Sequence, residues 1–129
     1  MAERSKRAGV GVWAGRVISG LLVILFVVGG AASLMMPKEM NDGLAQFGWP
    51  PHLGRWLVII EIVCGIIYAI PQTAILGAIL LTGYLGGAIA THMRIEDPTG
   101  FAPLVIGILV WLGIYLRESR LRAILPFRF

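Results

Sequence analysis

The chain has 129 residues, of which 57% are hydrophobic and 14% charged, with 17 glycines and a formal net charge of +4. That balance is too apolar and too poor in charge for a water-soluble domain of this length, and it places the chain in a lipid bilayer. The positive charge is not arranged as a basic stripe with interleaved aromatics, so nucleic acid is not the expected partner; the lipid bilayer is.

Four apolar runs follow in order, at about 13–36, 53–70, 74–93 and 101–116. Each approaches the ~20 residues that cross ~30 Å of hydrocarbon. The expected fold class is therefore an all-α membrane protein, a single domain built as a four-transmembrane-helix bundle. The first run also admits a second reading. Its basic start, apolar centre and small residues Gly29, Gly30, Ala31, Ala32 and Ser33 fit a cleaved leader, which would leave three crossings. A retained helix is favoured because the uncharged stretch continues from Val17 to Met36, longer than a leader core.

Between the first two runs, Pro37 to His52 carries Lys38, Glu39, Asn41, Asp42, Gly43, Pro50 and Pro51. Charges and turn formers place it outside the hydrocarbon. Phe47 and Trp49 are expected at the headgroup level, where an aromatic ring meets one apolar and one wet side; a lid over a substrate is the alternative. From Ile62 to Met93 no residue carries a formal charge when His92 is neutral. One helix of that run would be about 48 Å long, so the chain must fold back. Pro71, Gln72 and Thr73 supply the break, and the second and third runs form a tight hairpin.

Eight cations, Arg4, Lys6, Arg7, Arg16, Arg117, Arg120, Arg122 and Arg128, flank the two chain ends, while only Lys38, Arg55 and Arg94 border the opposite face. This asymmetry predicts that the N and C termini are both cytoplasmic. The Arg94 to Pro98 connection reads as a solvated turn, and Arg16 as a snorkelling side chain. The tail, 117–129, reads as a basic amphipathic segment with Leu121, Ile124, Leu125 and Phe127 turned to lipid.

Helices in lipid pack through small residues. Gly83, Gly87 and Thr91 form one such stripe, and Gly11, Gly15 and Ser19 another. Both are expected to pack inside the bundle, with a homo-oligomer face as the alternative. Glu61 is the one ionisable residue set deep in a run, which marks it as a functional candidate. Counted outward from Gln72, it lies level with Gly83 and beside Tyr84, so the Tyr84 hydroxyl is placed to meet the carboxyl. The other reading of Glu61 is a neutral acid tying two helices together.

His52 and His92 are equidistant from Gln72, and two histidines across a hairpin form a weak candidate for haem or a metal. They lie at the outer boundary, without a cysteine or acid at ligand spacing, and wet interfacial side chains are the favoured reading; no metal is expected. His92 lies roughly 13 Å of helix rise from Glu61, so a site including both is elongated. Cys64 is the single cysteine and is expected to pack. No catalytic triad order, phosphate loop or nucleotide fingerprint occurs, and no catalytic residue is assigned.

Taken together, the basic start leading into GRVISGLLVILFVVGGAASLM, the FGWPP loop, the acid in IIEIVCGIIYAIP, TAILGAILLTGYLGGAIATHMR and FAPLVIGILVWLGIYLRESRLRAILP resemble the DoxX-like family of small bacterial membrane proteins. The resemblance implies a four-helix bundle in the bacterial cytoplasmic (inner) membrane. It also implies a link by name to a subunit associated with a terminal quinol oxidase and a thiosulfate:quinone oxidoreductase. Carried onto this chain, it points to Glu61, and to His92 with Arg94, as the polar features; with Tyr84 these make up a candidate pocket. The functions then in view are an accessory subunit of a membrane oxidoreductase with quinone as ligand, a small proton-coupled transporter using Glu61, and a purely structural membrane protein.

Overall fold

The structure is a computed structural model that describes residues 2–125, with side chains from residue 9 onward. The side chains of Arg4, Lys6 and Arg7, and Phe127 and Arg128 of the tail, lie outside the described residues. The first span consists of α1 (Ala2–Val23), a π-helical turn (Ile24–Val28) and α2 (Gly29–Met35). Then come α3 (Pro37–Ala45), α4 (Pro51–Ala69), α5 (Ala74–Arg94), α6 (Phe101–Arg117) and a short α7 (Ser119–Arg122). Four helical stretches, Gly9–Met35, Pro51–Ala69, Pro71–Arg94 and Pro98–Arg117, are long and apolar enough to cross a membrane. The architecture is thus the expected all-α bundle of four membrane-spanning helices.

Packing follows the hairpin logic. Pro71–Thr73 forms a single 3-10 turn that folds α5 back along α4. α6 packs on α5, and α1 packs on α6, while the π turn and α2 lean on α4 and close the ring. The end of α6 lies beside the middle of α1, since Gly15 faces the Gly113 carbonyl, Leu116 and Arg117. Both chain ends therefore leave from one end of the bundle. Only 22–28% of each spanning window is buried, and large apolar side chains such as Leu21, Ile24, Ile79 and Ile108 stand exposed, as a bilayer-facing surface requires.

The centre is held by Tyr68, which is fully buried together with Phe26, Leu81, Val110 and Ile114. Its hydroxyl donates to the Val110 carbonyl at 2.9 Å, and Ser19 Oγ lies 2.9 Å from the same oxygen. A carbonyl only accepts, so the tyrosine proton goes to Val110 and Ser19 donates to Tyr68. One side chain thereby joins α4 to α1 and α6. Glycines admit this approach. A Cβ at Gly77 would collide with the Tyr68 backbone, and one at Gly113 would stand 2.6 Å from Ser19 Oγ. The Gly11, Gly15 and Ser19 stripe is accordingly a seam against α6. On the other side of the core, Gly65 lies between Phe26 and Val27 of the π turn, and Cys64 is buried beside it.

Three sequence expectations change. The segment after Met36 is not loop throughout: Pro37 opens α3 at its first turn, where a missing N–H costs nothing and Glu39 suits the positive helix end. α3 rests on α4, with Asn41 and Leu44 against Gly54. Leu121 does not face lipid; it is buried in the core, because the chain turns at Glu118 and lays α7 back on α6. Arg122 secures that turn by donating to the Tyr115 and Leu116 carbonyls at 2.8 and 2.7 Å. Finally, Gly83 and Gly87 are not an internal packing seam. Nothing lies within 4 Å of a Cβ at either, since the face of α5 that meets α4 runs through Gly77, Ala78, Leu81 and Leu85 instead.

Candidate functional site

The exposed glycines belong to a groove. The loop after α3 joins α4 and α5 in bounding about 360 Å³ lined by Leu44, Phe47, Trp49, Leu57 and the Gly83–His92 stretch of α5. Gly83 and Gly87 form its floor, and the lack of side chains there creates the space. The size falls within the range that holds a small organic ligand, roughly 300–1,000 Å³.

Three polar groups border this apolar space. Tyr84 lines it and reaches Glu61 Oε2 with a long hydrogen bond of 3.5 Å. The hairpin geometry thus brings Tyr84 and Glu61 together, although Glu61 itself is set behind the groove wall. Thr91 also lines the groove but turns its hydroxyl onto the Gly87 carbonyl at 2.8 Å. His92 Nδ1 lies 2.7 Å from the Ala88 carbonyl. Because that carbonyl accepts, Nδ1 carries the proton, and in the neutral ring Nε2 is left as an acceptor. The His92 ring packs on Phe47, with centroids 4.6 Å apart at an interplanar angle of 49°.

Phe47 and Trp49, half-buried, are therefore walls of the groove rather than side chains resting at the headgroup level alone. Gly48 makes this arrangement feasible. It has φ +84, a left-handed conformation natural to glycine, and reverses the chain so that both neighbours turn inward. Arg94 does not line the groove. Its guanidinium lies over Gly48, where a Cβ would stand 3.3 Å from Nη2, so Arg94 props the loop from outside. His52 is exposed at the first turn of α4 and does not line the space that holds His92, so the pair is not set up as ligands facing each other across the groove. No group of three His, Cys, Asp or Glu side chains able to hold a metal occurs among the described residues.

A second polar contact escaped the sequence reading. Trp111 Nε1 on α6 donates to Thr82 Oγ1 on α5 at 2.7 Å, and Thr82 passes its own proton to the Ala78 carbonyl at 2.7 Å. A tryptophan and a threonine on neighbouring apolar helices are the only signal for it.

Neither the curated proteins nor the solved structures provide a match to this chain. A sequence model of the DoxX-like family matches residues 17–113, from the first span to the last turns of α6, and so includes every residue of the groove. The chain is a membrane protein of the DoxX-like family.

Proposed function

We propose that the groove takes the headgroup of a lipid-soluble quinone, and that the protein serves as an accessory subunit beside an oxidoreductase of the bacterial cytoplasmic membrane. The observation that carries this reading is the pairing of aromatic walls with open glycines: Phe47 and Trp49 line the same space as Gly83 and Gly87, where nothing lies within 4 Å of a Cβ. A flat ring slides between them, and apolar surroundings suit a ligand that arrives from the bilayer. His92 Nε2 accepts a hydroxyl of the reduced ring, while Tyr84, held by Glu61, marks the opposite end. Electron transfer itself belongs to the partner in this reading; this chain binds and orients.

The test is a titration of purified protein with short-chain ubiquinone and menaquinone analogues, followed by tryptophan fluorescence. Saturable quenching in the wild type and its loss in Gly87→Leu, which fills the floor, is the expected result. Identical quenching in both proteins overturns the ligand assignment. Copurification from native membranes without any oxidoreductase overturns the partner assignment.

A further inference from the structure

At the opposite end of the bundle, where both chain termini leave, lies a second cavity of about 410 Å³. Its wall carries three arginines from three elements: Arg16 of α1, Arg117 at the end of α6, and Arg120 of α7. A smaller cavity of about 170 Å³ shares Arg16 and Arg117 and reaches inward to Ser19 and Tyr68. The single acid on the wall among the described residues, Glu118, accepts from the backbone N–H of Arg120 at 3.3 Å as the cap of α7. Arg122, by contrast, is taken up by the last carbonyls of α6.

Three cations lining one cavity are not explained by topology alone, which asks only that they lie on one side of the membrane. Arg117 is the most constrained. Its guanidinium stands 5.7 Å from the Tyr68 ring centroid, and its Nε is buried with no acceptor among the described residues. Holding a guanidinium beside an apolar core, with a donor unmet, is costly unless a counter-charge neutralises the group. Arginine forks suit the oxygens of a phosphate. The first turn of α5, at Ala74 and Ile75, also lines the space, and its positive helix end favours an anion. Exposed Pro71, Gln72 and Ile75 leave the cavity open at its rim.

We propose that this cavity is a phosphate site formed by Arg16, Arg117 and Arg120, filled by the headgroup of an anionic phospholipid or by a soluble phosphate. It is independent of the quinone reading, since no residue is shared between the two sites. Phosphate binding here ties α1, α6 and α7 together at the end where α7 folds back.

The experiment is native mass spectrometry of delipidated protein in detergent, with phosphatidylglycerol, diacylglycerol or inorganic phosphate added. Phosphatidylglycerol is expected to be retained and diacylglycerol not. Arg16→Gln and Arg120→Gln, both at exposed residues that leave Arg117 and the core intact, are each expected to weaken retention about fivefold. Arg55→Gln, at the other end of the bundle, is expected to change nothing. Saturable inorganic phosphate binding that needs Arg16 and Arg120, without phosphatidylglycerol retention, assigns the site to a soluble phosphate. Equal retention of diacylglycerol, or an equal loss in Arg55→Gln, overturns the proposal, as does the absence of binding by either phosphate source.

Discussion

The Tyr68 hydroxyl crosses the middle of the bundle to donate to the Val110 carbonyl at 2.9 Å, joining α4 and α6, which both pack on α5 and α1 but not on each other. In hydrocarbon an unmet hydroxyl finds no water, so the bond and the Ser19 donation to the same oxygen are worth keeping together. Removing the hydroxyl with Tyr68→Phe leaves the ring packing intact and is expected to cost about 1–2 kcal/mol, the upper part of the range for interhelical bonds in membranes. Ser19→Ala should cost less than this and add little in the Tyr68→Phe background, because both remove the same node. Reversible unfolding in mixed micelles of all four members of the cycle measures it; strict additivity would show that Ser19 and Tyr68 do not act as a pair.

Glycines of identical chemistry should split into two classes upon substitution by alanine. Gly77→Ala drives a methyl into the Tyr68 backbone, which has no soft end to yield, and Gly113→Ala drives one into Ser19. Overpacking of this kind costs about 1–3 kcal/mol. At Gly83 and Gly87 the methyl meets nothing within 4 Å. There the change is expected to lie within about 0.5 kcal/mol of the wild type or to stabilise slightly through helix propensity. Thermal unfolding of the four variants separates the classes, and equal destabilisation at Gly83 and Gly77 would contradict the open groove.

That split also marks what could be read from the residues. Span lengths, the Pro71 break and the approach of Tyr84 to Glu61 follow from linear quantities: hydrocarbon thickness, a missing amide proton and a count along two antiparallel arms. The rotation of each helix about its axis does not. In water a helix declares its inner face by polarity, but lipid and core are equally apolar, so nothing distinguished Gly77 from Gly83 or singled out Tyr68. α3 was hidden for another reason. Asn41, Asp42 and Gly43 carry turn propensity, yet the helix forms because Pro37 starts it and Leu44, half-buried, packs against Gly54. With α3 unseen, Phe47 and Trp49 had no frame to hold them over α5, and half of the groove was missed.

The loop that carries Phe47 and Trp49 depends on Gly48. With φ +84 it sits where a Cβ costs about 1–2 kcal/mol, and the added methyl would also press on the Arg94 guanidinium. Gly48→Ala is therefore expected to lose at least that much local stability and to move Trp49 out of the groove. In a variant whose only tryptophan is Trp49, the emission should shift to the red and become more accessible to a water-soluble quencher. Arg94→Ala is expected to relieve the contact without the backbone penalty, giving a smaller shift in the same direction. An unchanged spectrum in Gly48→Ala would show that the turn does not position Trp49.

The connection between α5 and α6 carries a pH dependence whose sign is fixed. Asp97 Oδ1 accepts from the backbone N–H of Thr99 at 2.9 Å and from its hydroxyl at 2.7 Å. These bonds favour the carboxylate, the backbone one most, and hold the Asp97 carboxyl below its ordinary value. A group whose pKa falls upon folding contributes stability that is fully present above the unfolded value, about 4 for aspartate, and that is lost as pH falls through the folded value. Local opening of the Pro98–Gly100 turn should thus be insensitive to pH near neutrality and increase below pH ~4. Thr99→Ala removes the hydroxyl donor but keeps the N–H, so it should raise the Asp97 pKa part of the way to the ordinary value. Asp97→Asn keeps an acceptor oxygen for Thr99 but abolishes the titration. Carboxyl-carbon NMR of the wild type and Thr99→Ala, with amide exchange at Thr99 and Gly100 as a function of pH, reads both effects; an Asp97 pKa at or above the ordinary value in the wild type would contradict the turn described here.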